Sequence, residues 1–439
     1  MTAIRKSLIC LMSALFGSAV ALTSIHGPSG SVPAFAQESS TSSPTSSGVA
    51  SGSPTEPAPT TDDDAAVTEA TPKPEPERVP EPPAELRIAT WGGAYGEAQK
   101  KAIFGPFTSK FGIDIRTVSH AGGAKILQST AKNPTGWDLA DIPFHVAEEG
   151  CRKGLLEHID PAGVRDANGA SVDLGDFLPD AVRKCAIGTS VWSSVIAYDR
   201  KRFKKAQPAR LEDFFDTKRF PGKRGLPMRP RYVLEMALMA DGVAPAEVYP
   251  TLETHAGIAR AFAKLETIRK DIVWWQSTRE PATLLIDGKV AMAVGFNGRF
   301  YMATAARQMP VDYIWDGQIY DMDVWVIPKK SSHLPTAMKF LSFAVRPQIM
   351  ATQASWLPYG PTRRSAAKMV DRHASLSVNM ARYLPTAPDN FDRALRVDEA
   401  WWDVNNASLV ETFRYWLDGK TSDTAGAAVP VRASVAPDR

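Results

Sequence analysis

Leu86-Arg87-Ile88-Ala89-Thr90-Trp91-Gly92-Gly93-Ala94-Tyr95-Gly96 is the stretch that decides the fold. Its first six residues, apolar and β-branched with one exposed-type charge, read as a short strand. The glycines then break the strand, and Ala98, Ala102, Ile103 and Phe107 recur on one face of a following helix. Ile113-Asp114-Ile115-Arg116-Thr117-Val118 alternates as a second strand. Strand, glycine turn, helix and strand make one βαβ unit, which requires a parallel sheet. The rhythm continues with strands expected at Ser190–Tyr198, Val290–Phe296 and Val324–Ile327, and helices at Tyr232–Ala240, Ala256–Lys270 and Thr336–Val345. No repeat period is visible. About 335 residues of this pattern exceed one ordinary sheet, so two α/β lobes are expected.

The Gly92, Gly93, Gly96 turn does not have the G-x-G-x-x-G spacing of a dinucleotide site, and no acid follows at the distance a ribose requires. A turn at the carboxyl end of a sheet strand does lie where open α/β folds bind ligands. There it offers Trp91 and Tyr95 to a crevice, unless both are core aromatics.

Outside this pattern the 439-residue chain changes character. Arg5 and Lys6 precede an apolar run from Leu8 to Leu22, and Ala34-Phe35-Ala36 offers a small-x-small cleavage site, with Ala19-Val20-Ala21 an earlier one. Residues 1–36 therefore read as an export signal, too short for a comfortable membrane span. Residues 37–84 are about half Ser, Thr and Pro and carry a net charge of −7. They lack the apolar side chains to offset ordering entropy and read as a disordered linker. The net +3 of the whole chain thus conceals a body of +8 from Glu85 onward. That surplus is local: twelve Lys/Arg and three acids lie between Arg200 and Arg231. Export, and the absence of interleaved aromatics, argue against nucleic acid and for a solvated face.

Once the segment containing Cys10 is removed, Cys151 and Cys185 are left in an oxidising compartment, where two cysteines pair. Enzyme signatures are missing: there is no G-x-S-x-G, H-E-x-x-H, C-x-x-C or G-x-x-x-x-G-K-[ST], and the histidines are scattered singly. No cofactor or metal is expected. Aromatic and acidic residues stand out instead. In Ile319-Tyr-Asp-Met-Asp-Val-Trp325 the acids Asp321 and Asp323 alternate with Met322, so both carboxylates face one side of an extended segment. Carboxylates beside aromatic faces suit a cationic nitrogen, which gains charge-assisted hydrogen bonds and cation–π attraction. Paired acids also serve as general acid and base or as calcium ligands, and tryptophans also bind sugars.

Several runs resemble the spermidine/putrescine-binding proteins of bacterial ABC importers. They are AVGFNGRFY (Ala293–Tyr301), IWDGQIYDMDVWVIPK (Ile314–Lys329), TAMKFLSFAVRPQ (Thr336–Gln348), YGPT (Tyr359–Thr362), GLLEHID (Gly154–Asp160) and TSVWS (Thr189–Ser193). The likeness covers roughly Leu86 to Ala367. It implies an α/β fold of the type II periplasmic binding protein kind, two α/β lobes joined by crossover hinge strands. It also implies a monomer in the periplasm that hands a small solute to an ABC permease in the inner membrane. By match with the family's ligand-lining positions, Trp91, Tyr95, Phe296 and Asp323 line the ligand. Trp192 falls within one of the similar runs and is expected there too. Asp321 stands where the family usually has tryptophan. Where polyamine binders carry acids, this chain has Met228-Arg-Pro-Arg-Tyr232, and these arginines, Arg231 foremost, would repel a polyamine or hold a carboxylate bidentately, unless they point outward with the rest of the basic run. The expected ligand is a small polyamine-like cation, with an amino-acid-like or betaine-like zwitterion as the alternative. A secreted enzyme or a signalling module on the same scaffold remain as further alternatives. The expected partition is 85–193 plus 324–370 for one lobe, 194–323 for the other, C-terminal helices over 371–420, and a disordered tail over 421–439.

Overall fold

A computed structural model describes residues 85–419 apart from 133–135 and 306–308. The expected export signal, linker and C-terminal tail lie outside the described residues, as does Cys10. Eleven strands form one sheet: β1 Glu85–Thr90, β2 Asp114–Ser119, β3 Leu139–Pro143, β4 Val182–Arg183, β5 Ala186–Asp199, β6 Arg224–Pro227, β7 Ile272–Trp275, β8 Met292–Phe296, β9 Val311–Val326, β10 Gly360–Pro361 and β11 Leu395–Arg396. Their order is β2-β1-β3-β9-β5-β8-β6-β7.

The order repeats about its centre. β2, β1 and β3 are mutually parallel and meet antiparallel β9, while β7, β6 and β8 are mutually parallel and meet antiparallel β5. β5 and β9, themselves antiparallel, are long enough to serve both halves. The leading stretch behaves as its residues require. Gly92 and Gly93 take positive φ of 68° and 55°, which glycine adopts without penalty. A Cβ on Gly92 would also lie 2.7 Å from the Ser119 hydroxyl. The helix then runs through Gly93–Gln99, a π-helical Lys100–Phe104 and Gly105–Phe111, and buries Ala98, Ala102, Ile103 and Phe107.

Each half has its own core. One packs Phe107, Trp325 and Phe340 around β1, β3 and the end of β9. The other packs the helix Val233–Ala240, buried along its whole length, against Phe262, Trp401, Trp402 and Phe413. These are two α/β lobes, as expected. Residues 371–419 contribute one long helix, Glu399–Leu417, preceded by single 3-10 turns and by β11. No described helix is long and apolar enough to cross a membrane.

Two differences from the sequence reading have physical causes. The strand expected at Val324–Ile327 is the end of a 16-residue strand, β9, that includes Asp321 and Asp323. β9 passes from one lobe to the other, so what its faces touch changes along its length and the period of two is lost. The basic stretch 200–231 is not uniformly a solvated face. Arg224 is wholly buried and its guanidinium donates to the carbonyls of Phe214, Gly222 and Phe220 at 2.6 Å each. Cys151 and Cys185 are joined, with Cα atoms 5.8 Å apart, tying the helix Phe144–Arg152 to the approach to β5.

Register places the site. Pro143 pairs with Asp323 and Ala140 with Val326, so the carboxyl end of β3 meets β9 at Asp323. Phe296 pairs with Ser194 and Met292 with Tyr198, so the carboxyl end of β8 meets the middle of β5. The carboxyl ends of both parallel sets therefore converge on Trp192–Ser194 and Ile319–Asp323, where ligands of open α/β sheets bind.

Candidate functional site

Ser190 pairs with Asp323 and Trp192 with Asp321 across β5 and β9. Residues opposite each other, or two apart on one strand, share a sheet face. Trp192 and both carboxylates therefore lie on one face, and Met322 turns into the core between them. Asp321 and Asp323 are buried, and both oxygens of Asp321 and Oδ1 of Asp323 find no hydrogen-bond partner among the described residues. Burial first of all, with Glu399 adding to it and Arg396 and Arg231 opposing it, raises the Asp321 carboxyl to about 7. Asp323 is pushed well above the usual carboxylate range, first by burial and then by Asp141 and Asp321.

Asp141, in β3, is a third buried acid that the sequence reading missed. Its Oδ2 accepts from the Tyr95 hydroxyl at 2.7 Å and from Gln99 Nε2 at 2.6 Å, and the Ser190 hydroxyl lies 2.9 Å from the Tyr95 oxygen. His120 donates through Nε2 to the Asp141 carbonyl at 2.8 Å, while its Nδ1 accepts from the Gly122 amide at 3.2 Å. That ring lies 4.8 Å from the ring of Trp91, whose buried Nε1 has no partner among the described residues. The signal for Asp141 was an acid inside the otherwise apolar run Leu139-Ala-Asp-Ile142. Tyr95 thus anchors an acid rather than offering a free face, and packs edge-on to Tyr359 at 5.5 Å.

The aromatic wall continues into the other lobe. Trp192 meets Phe296 at 5.4 Å, and Phe296 meets Tyr232 at 5.6 Å, both edge to face. Tyr232 caps the helix Val233–Ala240 in the left-handed region, φ 70°. A non-glycine residue there costs about 1 to 2 kcal/mol and persists where the surroundings over-determine it. Past Phe296, the Asn297-Gly298 pair braces the lobes. Asn297 accepts from the Ser193 amide at 3.1 Å and donates to the Pro358 carbonyl at 2.6 Å. A Cβ at Gly298 would lie 2.8 Å from the Tyr359 hydroxyl.

The two arginines before that helix part company. Arg231 donates to Glu399, at the start of the C-terminal helix, and stacks over Tyr232. Arg229 forms no ion pair among the described residues. Its guanidinium lies 5.5 Å from the Trp275 ring centre and 5.6 Å from that of Tyr232, and burial, reinforced by Arg231, lowers its pKa. Of the pair, Arg229 is the one left to meet an anion.

Neither cluster of candidate ligands among the described residues fits a resident metal. His145, Asp321 and Glu399 bring ligand atoms within 4.8 Å of one another, but the Arg231 guanidinium already occupies Glu399 and opposes a second cation there. Cys151 and Cys185, near His158, are spent in their disulfide.

The family model of bacterial extracellular solute-binding proteins matches residues 102–378. The γ-aminobutyric acid-binding protein of Pseudomonas aeruginosa is 33% identical over 333 residues, 75% of this chain and 90% of that protein. The spermidine/putrescine-binding periplasmic protein of Salmonella typhimurium is 27% identical over 184 residues, 41% of this chain and 48% of its own length. Among solved structures, an ABC transporter substrate-binding protein from Bradyrhizobium japonicum superposes with a TM-score of 0.61 at 32% identity, covering 77% of this chain and 100% of that one. The fold is that of a type II periplasmic binding protein. The chain belongs to the bacterial extracellular solute-binding proteins, and it is the solute-capturing component of an ABC transporter.

Proposed function

We propose that the solute is a small zwitterion of the amino-acid kind, with its ammonium toward Asp321 and Asp323 and its carboxylate on Arg229. One observation carries this reading. The contiguous aromatic wall Tyr232, Phe296, Trp192 runs from an arginine without an acidic partner to carboxylates without an ion-paired cation. Opposite charges at the two ends of an apolar wall complement a molecule that carries opposite charges at its two ends. A guanidinium there suits a planar carboxylate and repels an all-cationic polyamine. That a similar protein is named for γ-aminobutyric acid supports the same class. Trp91, Tyr95 and Asp141 would close the wall on the first lobe, with Arg231 held on Glu399.

The chain would work in the periplasm as a monomer after export, closing on the solute about β5 and β9 and delivering it to an inner-membrane permease. It would act by binding, without turnover. A polyamine is the second reading, favoured by three buried acids set against one unpaired arginine. A thermal-shift panel of ω-amino acids, α-amino acids, glycine betaine, putrescine and spermidine separates these. A true ligand at 100 times its Kd adds about 2.7 kcal/mol of stability. Amino acids should shift the midpoint, and a shift by polyamines alone would replace the zwitterion with the cation.

A further inference from the structure

Asp321 and Asp323 supply enough negative charge for one ammonium, so the third buried acid requires its own explanation. Asp141 lies beside Asp323: Pro143, two residues further along β3, pairs with Asp323. The Tyr95 hydroxyl and Gln99 amide both bind its Oδ2, leaving Oδ1 buried and without a partner among the described residues, as is Oδ1 of Asp323. The groups facing the pair come from several elements. Tyr95 and Gln99 come from the helix after β1, Ser190 from β5, Asp321 from β9, and the Tyr359 hydroxyl from the segment before β10. Arg299 acts on Tyr359, Arg396, Glu399 and Arg231 act on Asp321, and His120 meets the Asp141 carbonyl. No described lysine or arginine pairs with Asp141 or Asp323. Burial and mutual repulsion disfavour joint ionisation of two carboxylates so placed unless a cation joins them.

We infer that Asp141 completes the cation subsite: with Asp323 it forms an acid pair that holds one proton in the unliganded protein and exchanges it for a primary ammonium. The exchange balances. R–NH3⁺ enters, one carboxyl O–H gives its proton to the buffer, and both carboxylates, now ionised, accept N–H hydrogen bonds. The raised pKa of both acids, caused mainly by burial, accords with this. A specificity follows. A trimethylammonium has no N–H to replace the lost O–H bond, so the subsite takes primary amines and rejects betaines. The inference rests on the reading above only in requiring an ammonium on the ligand.

The test is titration calorimetry of the full chain with γ-aminobutyrate and with putrescine, in phosphate, imidazole and Tris at one neutral pH. The apparent enthalpy should vary linearly with the ionisation enthalpy of the buffer, reporting release of about one proton, and affinity should rise up to about tenfold per pH unit across the titration. Asp141→Asn can still accept from Tyr95 and Gln99, so it should fold, bind with a flatter pH profile and release less proton than the unaltered protein, Asp321 supplying what remains. Infrared spectra of the unliganded Asp321→Asn variant at pH 7 should show a protonated carboxyl band that adding Asp323→Asn removes. Binding with the same enthalpy in every buffer overturns the exchange and leaves the ligand reading standing. If neither probe binds, the ligand reading fails and the infrared band alone decides the acid pair, its absence overturning it.

Discussion

The guanidinium of Arg231 donates to the carboxylate of Glu399, 168 residues further along the chain. That bond joins the C-terminal helix to the mouth of the second lobe and takes one of two neighbouring arginines out of the cleft's chemistry. It also brings Glu399 within 4.0 Å of His145 on the first lobe.

The two arginines should therefore separate on mutation. Arg229→Ala should weaken binding of an amino-acid ligand at least 100-fold, as loss of a charge-assisted carboxylate contact does, and leave the melting temperature nearly unchanged. Arg231→Ala should leave Glu399 largely buried and without its partner, costing about 1 to 3 kcal/mol of stability. Calorimetry and urea denaturation on both variants check this, and equal effects on both properties would refute the division of labour.

Asp321 carries a pH signature. Its folded pKa, about 7, stands above the roughly 3.9 of an unfolded aspartate, so the folded state binds more protons between those values. Stability of the unliganded protein should be greatest on the acid side of this window and fall as pH rises from about 4 to about 7. Asp321→Asn should flatten that fall in thermal scans and lose ligand affinity at the same time. A profile as steep as that of the unaltered protein would show that the carboxyl titrates normally.

Asp323→Ala should abolish binding while the two cores, and hence the far-ultraviolet spectrum, persist. Unaltered affinity for every ligand that shifts the parent protein would remove Asp323 from the site.

The aromatic wall should matter as a unit. Phe296 touches both Trp192 and Tyr232, so Phe296→Ala breaks two edge-to-face contacts, each worth about 0.5 to 1.5 kcal/mol beyond burial. Affinity should drop by one to two orders of magnitude, and a Phe296→Ala, Trp192→Ala double variant should lose less than the sum.

The Cys151–Cys185 crosslink closes a loop with a sequence separation of 34. Replacing both cysteines with serine should cost about 3 to 4 kcal/mol on the chain-entropy model. Cys185 lies just before β5 in the core of the first lobe, so ligand affinity measured on the folded fraction should not move.

Much of this was legible in the chain because local chemistry dictates it. The strand, glycine turn and helix from Leu86 follow from residue size and periodicity, and the alternation around Met322 puts Asp321 and Asp323 on one face whatever lies around them. The full length of β9 was not legible. Asp316, Gly317 and Gln318 interrupt its apolar pattern, since Asp316 accepts from the Leu211 amide and from Arg393 while Gln318 serves Ser193 and the Pro385 carbonyl. A strand crossing between lobes meets different neighbours along its length, so no single period marks it. Asp141 was hidden differently, as a lone acid in an apolar strand whose purpose depends on Tyr95 and Gln99 coming from another element.

By itself, then, the sequence determined the kind of protein: the βαβ rhythm, the cysteine pair, the acids beside aromatics, and the arginines where polyamine binders carry acids. Tertiary structure alone decided which groups carry unspent charge. Whether an arginine or a carboxylate is free to bind depends on a partner far away in the chain, Glu399 for Arg231, and on the neighbours that surround each acid. Those contacts are fixed by packing, on which periodicity and composition are silent.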